Sequence, residues 1–222
     1  KNGHSVENGR IPIVAVTGTN GKTTTLRLIS HLLTQKGLCV GMTNTDGVYV
    51  GDTCIDTGDC SGPRSARSVL LHPDVDAAVL ETARGGVLRE GLAFDRCDVA
   101  VVTNIGSGDH LGLNYITTVQ ELAVLKRVIV QNVAPNGTAV LNANDPNVAI
   151  MAGKCSGNVI FFAVDKYHPV MATHSAQGQA VVYVENGHIV ARKGAYVHRI
   201  ALANIPLTLG GTIGFQVENT MA

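Results

Sequence analysis

The stretch Ile11-Pro12-Ile13-Val14-Ala15-Val16-Thr17-Gly18-Thr19-Asn20-Gly21-Lys22-Thr23-Thr24 decides the fold of this 222-residue chain. Its first half is a short, continuous apolar run, as expected for a strand buried on both faces. A glycine-rich turn follows at once. Residues 22–36 then place Leu26, Ile29, Leu32 and Leu33 at helical spacing, with Gly37 as a stop. Strand, glycine turn and helix in this order form the context a phosphate-binding loop requires. Glycines let backbone N–H groups turn inward onto phosphate oxygens, and the helix N-terminus adds partial positive charge. Lys22 is placed to bridge the β- and γ-phosphates, and the Thr23 hydroxyl to ligate Mg²⁺. The usual pattern opens with a glycine five residues before the glycine of Gly-Lys. Val16 stands there instead, so the loop is a variant. The competing reading is a plain glycine turn.

Outward from this loop the chain alternates strands and helices. Strands are expected over 39–43, 76–80, 98–103, 138–141 and 159–163, and helices over 117–132 and 146–153. Asp145-Pro146 opens the second of these helices. Such alternation predicts an α/β fold: a mostly parallel, doubly wound sheet of P-loop type with helices on both faces. From about Gln179 the rhythm changes. Residues 180–185, 188–192 and 197–202 are short β-rich runs joined by tight turns such as Asn186-Gly187, so an antiparallel patch is expected within 179–211. Residues 1–10 are polar and read as a linker, leaving 11–222 as one domain.

Composition narrows the functional classes. Seventeen basic residues balance seventeen acidic ones, which leaves no electrostatic footprint for nucleic acid or an anionic membrane. No apolar run nears the roughly 20 residues a membrane span needs. An apolar fraction of 45% argues against disorder, and with no Trp and 4% aromatics the core must be aliphatic. Five cysteines, Cys39, Cys54, Cys60, Cys97 and Cys155, include no C-x-x-C pair. Neither a disulfide framework nor a zinc ribbon is indicated, and a reducing cytoplasm fits best. The chain begins at Lys1 without an initiator Met or a signal peptide, so it reads as a processed product or an excerpt. Residues 219–222 read as the start of a helix.

Glu81 is an acid at the carboxyl end of an apolar strand. In an open α/β sheet that edge is where ligands bind, so Glu81 is a candidate Mg²⁺ ligand. A salt-bridged surface Glu is the alternative. Arg64, Arg67, Arg84 and Arg89 lie in loops after strand ends, where guanidinium groups suit carboxylates. Solvated loops would carry them equally well.

Thr17-Gly18-Thr19-Asn20-Gly21-Lys22-Thr23-Thr24 resembles the ATP loop of the Mur ligase family. The wider chain resembles one branch of it, the Mur-ligase-like half of the cyanophycin synthetases. The supporting segments are Gly41-Met42-Thr43-Asn44-Thr45-Asp46-Gly47, Gly58-Asp59-Cys60-Ser61-Gly62-Pro63, Leu80-Glu81-Thr82-Ala83-Arg84-Gly85-Gly86, Arg89-Glu90-Gly91-Leu92 and Asp109-His110-Leu111-Gly112. The resemblance implies an ATP-dependent carboxylate–amine ligase working through an acyl-phosphate, with ATP and Mg²⁺. It implies that Glu81 binds Mg²⁺, that His110 holds a second Mg²⁺, and that Lys126 helps there as a carbamate or as a plain ammonium. A snorkelling surface role is the alternative for Lys126. Phe215-Gln216-Val217-Glu218-Asn219 resembles the family's adenine motif, with Asn219 matching its last Asn. The acceptor implied is a poly-aspartate chain, with Arg64 and Arg84 on its carboxylates and arginine as the amine. An ATP-grasp domain before the chain, an amine-binding domain after it and a homo-oligomer are implied as well, so the isolated piece is expected to be inactive. The rival readings are a nucleotide-binding regulatory or assembly module without ligase activity, and a P-loop phosphotransferase for small molecules.

Overall fold

The apolar run forms β1 (Ile13–Thr17), and the loop opens α1 (Lys22–Gln35). The structure, a computed structural model, describes residues 9–106, 111–112 and 115–222. The chain continues through β2 (Val40–Asn44), β3 (Gly47–Val50), β4 (Thr53–Thr57), α2 (Pro63–Leu70), β5 (Ala77–Glu81), α3 (Arg84–Glu90) and β6 (Cys97–Val102). It goes on through α4 (Val119–Lys126), α5 (Val128–Gln131), β7 (Val133–Asn142), α6 (Pro146–Ala149), β8 (Asn158–Phe162) and α7 (Pro169–Ala176). Last come β9 (Ala180–Glu185), β10 (His188–Lys193), β11 (Tyr196–Ala201) and α8 (Gly214–Met221).

Among the described residues the strands form one sheet in the order β11-β10-β9-β8-β7-β6-β1-β5-β2-β3-β4. The middle is parallel: β1 lies between β5 and β6, and parallel pairing runs on from β6 through β7 and β8 to β9. β1 is buried on both faces, as its unbroken apolar run demands. Ala15 joins Leu80, Val102, Leu122 and Ile129 in one core cluster. Val16, its neighbour in sequence, faces the other way and packs with Val79, Val101 and Leu26 of α1. The α/β fold expected from the alternation is the fold observed.

The antiparallel patch expected near the C-terminus is observed, β9, β10 and β11 pairing antiparallel in turn, with strand structure ending at Ala201; β9 also joins the main sheet by pairing in parallel with β8. The tight turn at Asn186-Gly187 was a local signal, whereas the partner of β9 on its other side is a tertiary choice. A second antiparallel extension, β3–β4, edges the opposite side. There the Asn44 side chain accepts hydrogen bonds from the Asp46 and Gly47 amides, at 2.8 and 3.1 Å, and turns the chain back. The helix expected over 117–132 starts at Val119, behind a capping box in which Thr118 and Glu121 satisfy each other's amides. It is interrupted at Arg127, whose carbonyl accepts from Val130 in a tighter three-residue turn. Arg10, at the end of the expected linker, is clamped to Asp95 by two 2.7 Å bonds. No helix is long and apolar enough to cross a membrane among the described residues.

Candidate active site

The loops leaving β1, β5 and β6 meet at the carboxyl edge of the sheet. Gly18 has φ +151°, and a Cβ there would fall 1.9 Å from Thr103 Oγ1, so only glycine fits. Thr103 Oγ1 donates to the Asn20 carbonyl at 2.6 Å. The Asn104 side chain grips the same residue from both sides: its Oδ1 accepts from the Asn20 amide at 2.9 Å and its Nδ2 donates to the Asn20 carbonyl at 3.1 Å. The exit from β6 therefore moulds the phosphate loop. Asn142 and Asp145 support that exit in turn, taking up the Thr103 carbonyl at 2.9 Å and the Ile105 amide at 2.6 Å. Asp145 also caps α6 through the Asn147 amide at 2.9 Å.

Behind the loop, α1 begins at Gly21 (φ +83°) with no side-chain cap and no acid in its first turn. Its positive end is left for an anion. Lys22 Nζ donates to the Thr19 carbonyl at 3.0 Å, lying across its own loop. Thr23 Oγ1 donates to Glu81 Oε2 at 3.1 Å. Glu81 is 2% exposed, and its other oxygen, Oε1, is buried without a hydrogen-bond partner. Burial raises its pKa above the ordinary Glu value, while the Lys22 charge and the Thr23 hydroxyl oppose that rise. Asn44, which follows the Thr43–Leu80 pair on the next strand, also keeps its Nδ2 buried and unmatched. Buried polar atoms are normally satisfied, so unmatched ones at a sheet edge mark a place built for something else.

These atoms fit a hard divalent cation. A carboxylate oxygen with spare valence beside a threonine hydroxyl is oxygen chemistry of the kind Mg²⁺ prefers. No group of three or more His, Cys, Asp and Glu occurs among the described residues. His110 and its neighbour Asp109 lie outside the described residues.

Lys126 is 4% exposed and reaches from α4 under the loop, where Nζ donates to the Gly18 carbonyl at 2.6 Å. Asn219 is buried on α8 against the head of α1. A Cβ on Gly21 would come within 2.1 Å of its Oδ1, and its carbonyl accepts from Thr25 Oγ1 at 3.1 Å. Gln216 holds the Asn219 amide at 3.0 Å, while Phe215 stays exposed. Arg64 and Arg84 open α2 and α3, whose starts are joined by the Ala83 amide on the Ser61 carbonyl at 3.2 Å. Arg67 instead pairs with Glu90 at 3.6 Å.

The sequence profile of the Mur ligase middle domain matches residues 16–222. The chain belongs to that family. It is 48% identical over 217 residues to a cyanophycin synthetase of Nostoc sp., covering 97% of this chain and 24% of that protein. Against a cyanophycin synthetase of Synechocystis sp. it is 48% identical over 214 residues, covering 96% and 24%. The chain thus spans about a quarter of the length of these curated relatives. Among solved structures, a UDP-N-acetylmuramoyl-L-alanyl-D-glutamate--2,6-diaminopimelate ligase superposes with a TM-score of 0.64 at 18% identity, covering 96% of this chain and 45% of that one. A bifunctional folylpolyglutamate synthase/dihydrofolate synthase with Mn, AMPPNP and L-glutamate bound gives 0.59 at 17%, covering 96% and 58%. These two likenesses establish the fold.

In this Mur ligase middle domain the structure gathers Gly18, Thr19, Asn20, Gly21, Lys22, Thr23, Glu81, Lys126 and Asn219 around one loop. Thr24 follows in the first turn of α1. Asn44, Thr103 and Asn104 were not among the candidates read from sequence. Their only advance signal was position, each standing at or just beyond a strand's carboxyl end. Among the described residues, a roomier cleft of about 500 Å³ lies by Arg10, Asp95 and Asn136, at the opposite edge of the sheet. Its Arg10–Asp95 pair is closed on itself, and none of the loop residues line it.

Proposed function

We propose that this chain is the ATP-binding central domain, spanning residues 11–222, of a cytoplasmic ADP-forming ligase. In this reading it joins arginine to the β-carboxylate of a poly-aspartate chain, the chemistry that the sequence resemblance implies. The observation that carries the reading is the buried Glu81 with a spare oxygen, facing Thr23 and Lys22 across an uncapped helix start. Such a site suits a nucleotide triphosphate with its cation.

The loop amides and the head of α1 receive the β- and γ-phosphates, and Lys22 exchanges the Thr19 carbonyl for phosphate oxygens. A carboxylate oxygen of the acceptor attacks the γ-phosphorus, the bond to ADP breaks, and an acyl-phosphate forms. The arginine α-amine then attacks the acyl carbon, inorganic phosphate leaves, and the amine proton passes to solvent or a nearby base. Thr23 and Glu81 would hold Mg²⁺, with His110 at a second cation; bound there, the metal neutralises charge on the transferring phosphoryl group. Lys126 as an ammonium keeps the loop in shape through the Gly18 carbonyl; in either form it would help at the second cation. In this reading Arg64 and Arg84 meet acceptor carboxylates, and Asn219 borders the adenine. Catalysis on this account is positioning and electrostatics. The amine site and an ATP-grasp activity belong to other parts of a longer, oligomeric protein.

The test is phosphate and ADP release by the full-length protein, with arginine and an acidic primer, before and after Lys22→Ala. Release that needs all three substrates and falls at least ~10²-fold in the variant supports the reading. AMP as the product, or an unaffected variant, overturns it.

A further inference from the structure

A groove of about 480 Å³ runs between α7 and the outer strands β10 and β11. Its floor is apolar, with Met171 and Val181 almost fully buried. Its walls are charged. Strand register places Arg192 opposite Val181 and Val197, and Arg199 opposite Val190, so both arginines share a face with Glu185. Glu185 is already satisfied, since Lys166 donates to one of its oxygens and Arg199 to the other, the latter at 3.0 Å. Three cations against one carboxylate leave two positive charges in excess, in a chain whose formal charge is zero. Among the described residues Arg192 donates only to the Gly194 carbonyl at 3.2 Å, which neutralises nothing.

One end of the groove lies on the same edge as the phosphate loop, because Glu185 ends β9 and β9 runs parallel to β8, β7, β6 and β1; Arg192, opposite Val181, stands four residues back from that end, toward the start of β9. Four strand steps of about 4.8 Å, about 19 Å, separate β9 from β1; Arg192 lies one step further out and about 13 Å back along the strand, about 27 Å from the loop in all. An extended peptide covers about 3.3 Å per residue, so about eight residues bridge the gap from the loop to Arg192. We infer that this groove is a second holding site for a carboxylate-bearing peptide chain, keeping an acidic acceptor on the protein between additions at the phosphate loop. The guanidinium of Arg192, with Arg199 between it and the loop's edge, takes the carboxylates, and the apolar floor takes the backbone and methylene groups. The acceptor's identity rests on the proposed function; the groove's preference for an acidic peptide does not.

Binding is measured by fluorescence anisotropy on the full-length protein with labelled dodeca-aspartate and tri-aspartate. Arg192→Glu is expected to weaken dodeca-aspartate about tenfold and Arg192→Lys to restore it, with tri-aspartate little changed. Equal affinity of wild type and Arg192→Glu for dodeca-aspartate overturns the inference. So does a dodecamer oligonucleotide that binds as tightly with the same Arg192 dependence, since that would be unselective charge attraction. Ligation is assayed separately. A wild-type protein that never ligates but binds dodeca-aspartate through Arg192 refutes the proposed function and leaves the groove standing; an active enzyme with Arg192-independent binding does the reverse.

Discussion

Two strands of one sheet edge end in a glutamate, and the two carboxylates have opposite fates. Glu81 closes β5, is almost fully buried, and has one oxygen without a hydrogen-bond partner among the described residues. Glu185 closes β9, is partly exposed, and is held by Lys166 and Arg199. Burial pushes the Glu81 pKa up; the hydrogen bonds from Lys166 and then Arg199 hold Glu185 below the usual value. An unmatched buried charge destabilises the empty fold, so its presence points to a ligand that completes it. A carboxylate satisfied by its own neighbours adds local order, and the charge left over sits on the cations around it.

The largest effect should come from exchanging Glu81 for Gln in the full-length protein. ATP turnover is expected to fall ~10²–10³-fold. Urea unfolding of the metal-free variant should show equal or higher stability, because a buried charge has been removed. Glu185→Gln should leave turnover on a short acceptor unchanged. If both variants lost turnover equally, the contrast between the two carboxylates would be void.

Next in size are two glycines with positive φ. Gly18→Ala faces the Thr103 hydroxyl at 1.9 Å, whereas Gly187→Ala, at φ +73° in the β9–β10 turn, meets nothing within 4 Å. Thermal unfolding should show a loss of ~1–3 kcal/mol for Gly18→Ala, together with weakened nucleotide binding. The Gly187 variant should lose only ~1 kcal/mol, from backbone strain alone. A nucleotide titration that does not distinguish the two would remove Thr103 from its role as the loop's mould.

A smaller contrast concerns the thiols. Burial pushes the Cys97 pKa up to about 12, and its Sγ points at the Ile129 and Asn132 carbonyls, while Cys54 is exposed on β4. At pH 8 an alkylating reagent should label Cys54 in the native protein and reach Cys97 only after denaturation, as read by peptide mass mapping. The smallest effect is the pH response at Glu185. Its folded pKa lies below the unfolded one, so its contribution is present above about pH 4.5 and fades as pH falls through the lower, folded value. The stability difference between wild type and Glu185→Gln should shrink over that range; a difference that grew on acidification would reverse the sign assigned here.

The phosphate loop and the acid after β5 were legible because each is a local statement: a glycine at a forced backbone angle, or a polar residue ending an apolar run. Thr103, Asn104 and Asn44 were not, since a Thr or Asn after a strand is common and gains its role only from the strand placed beside it. The order of strands was equally hidden at β9, where a tight turn announced β10 but nothing announced β8.

By itself the sequence determined that this is an α/β chain, where its glycine loop between β1 and α1 lies, and that the core is aliphatic. Those properties follow from residue spacing and from which side chains leave water. Tertiary structure decided that the β6 exit shapes the loop, that Lys126 and Asn219 close on it from α4 and α8, and that Glu81 keeps an oxygen unmatched. Each depends on contacts between segments 58 to 194 residues apart, Thr23 to Glu81 being the nearest and Thr25 to Asn219 the farthest. Local propensity carries no information about such pairs, because it is the packing of helices against both faces of the sheet that brings them together.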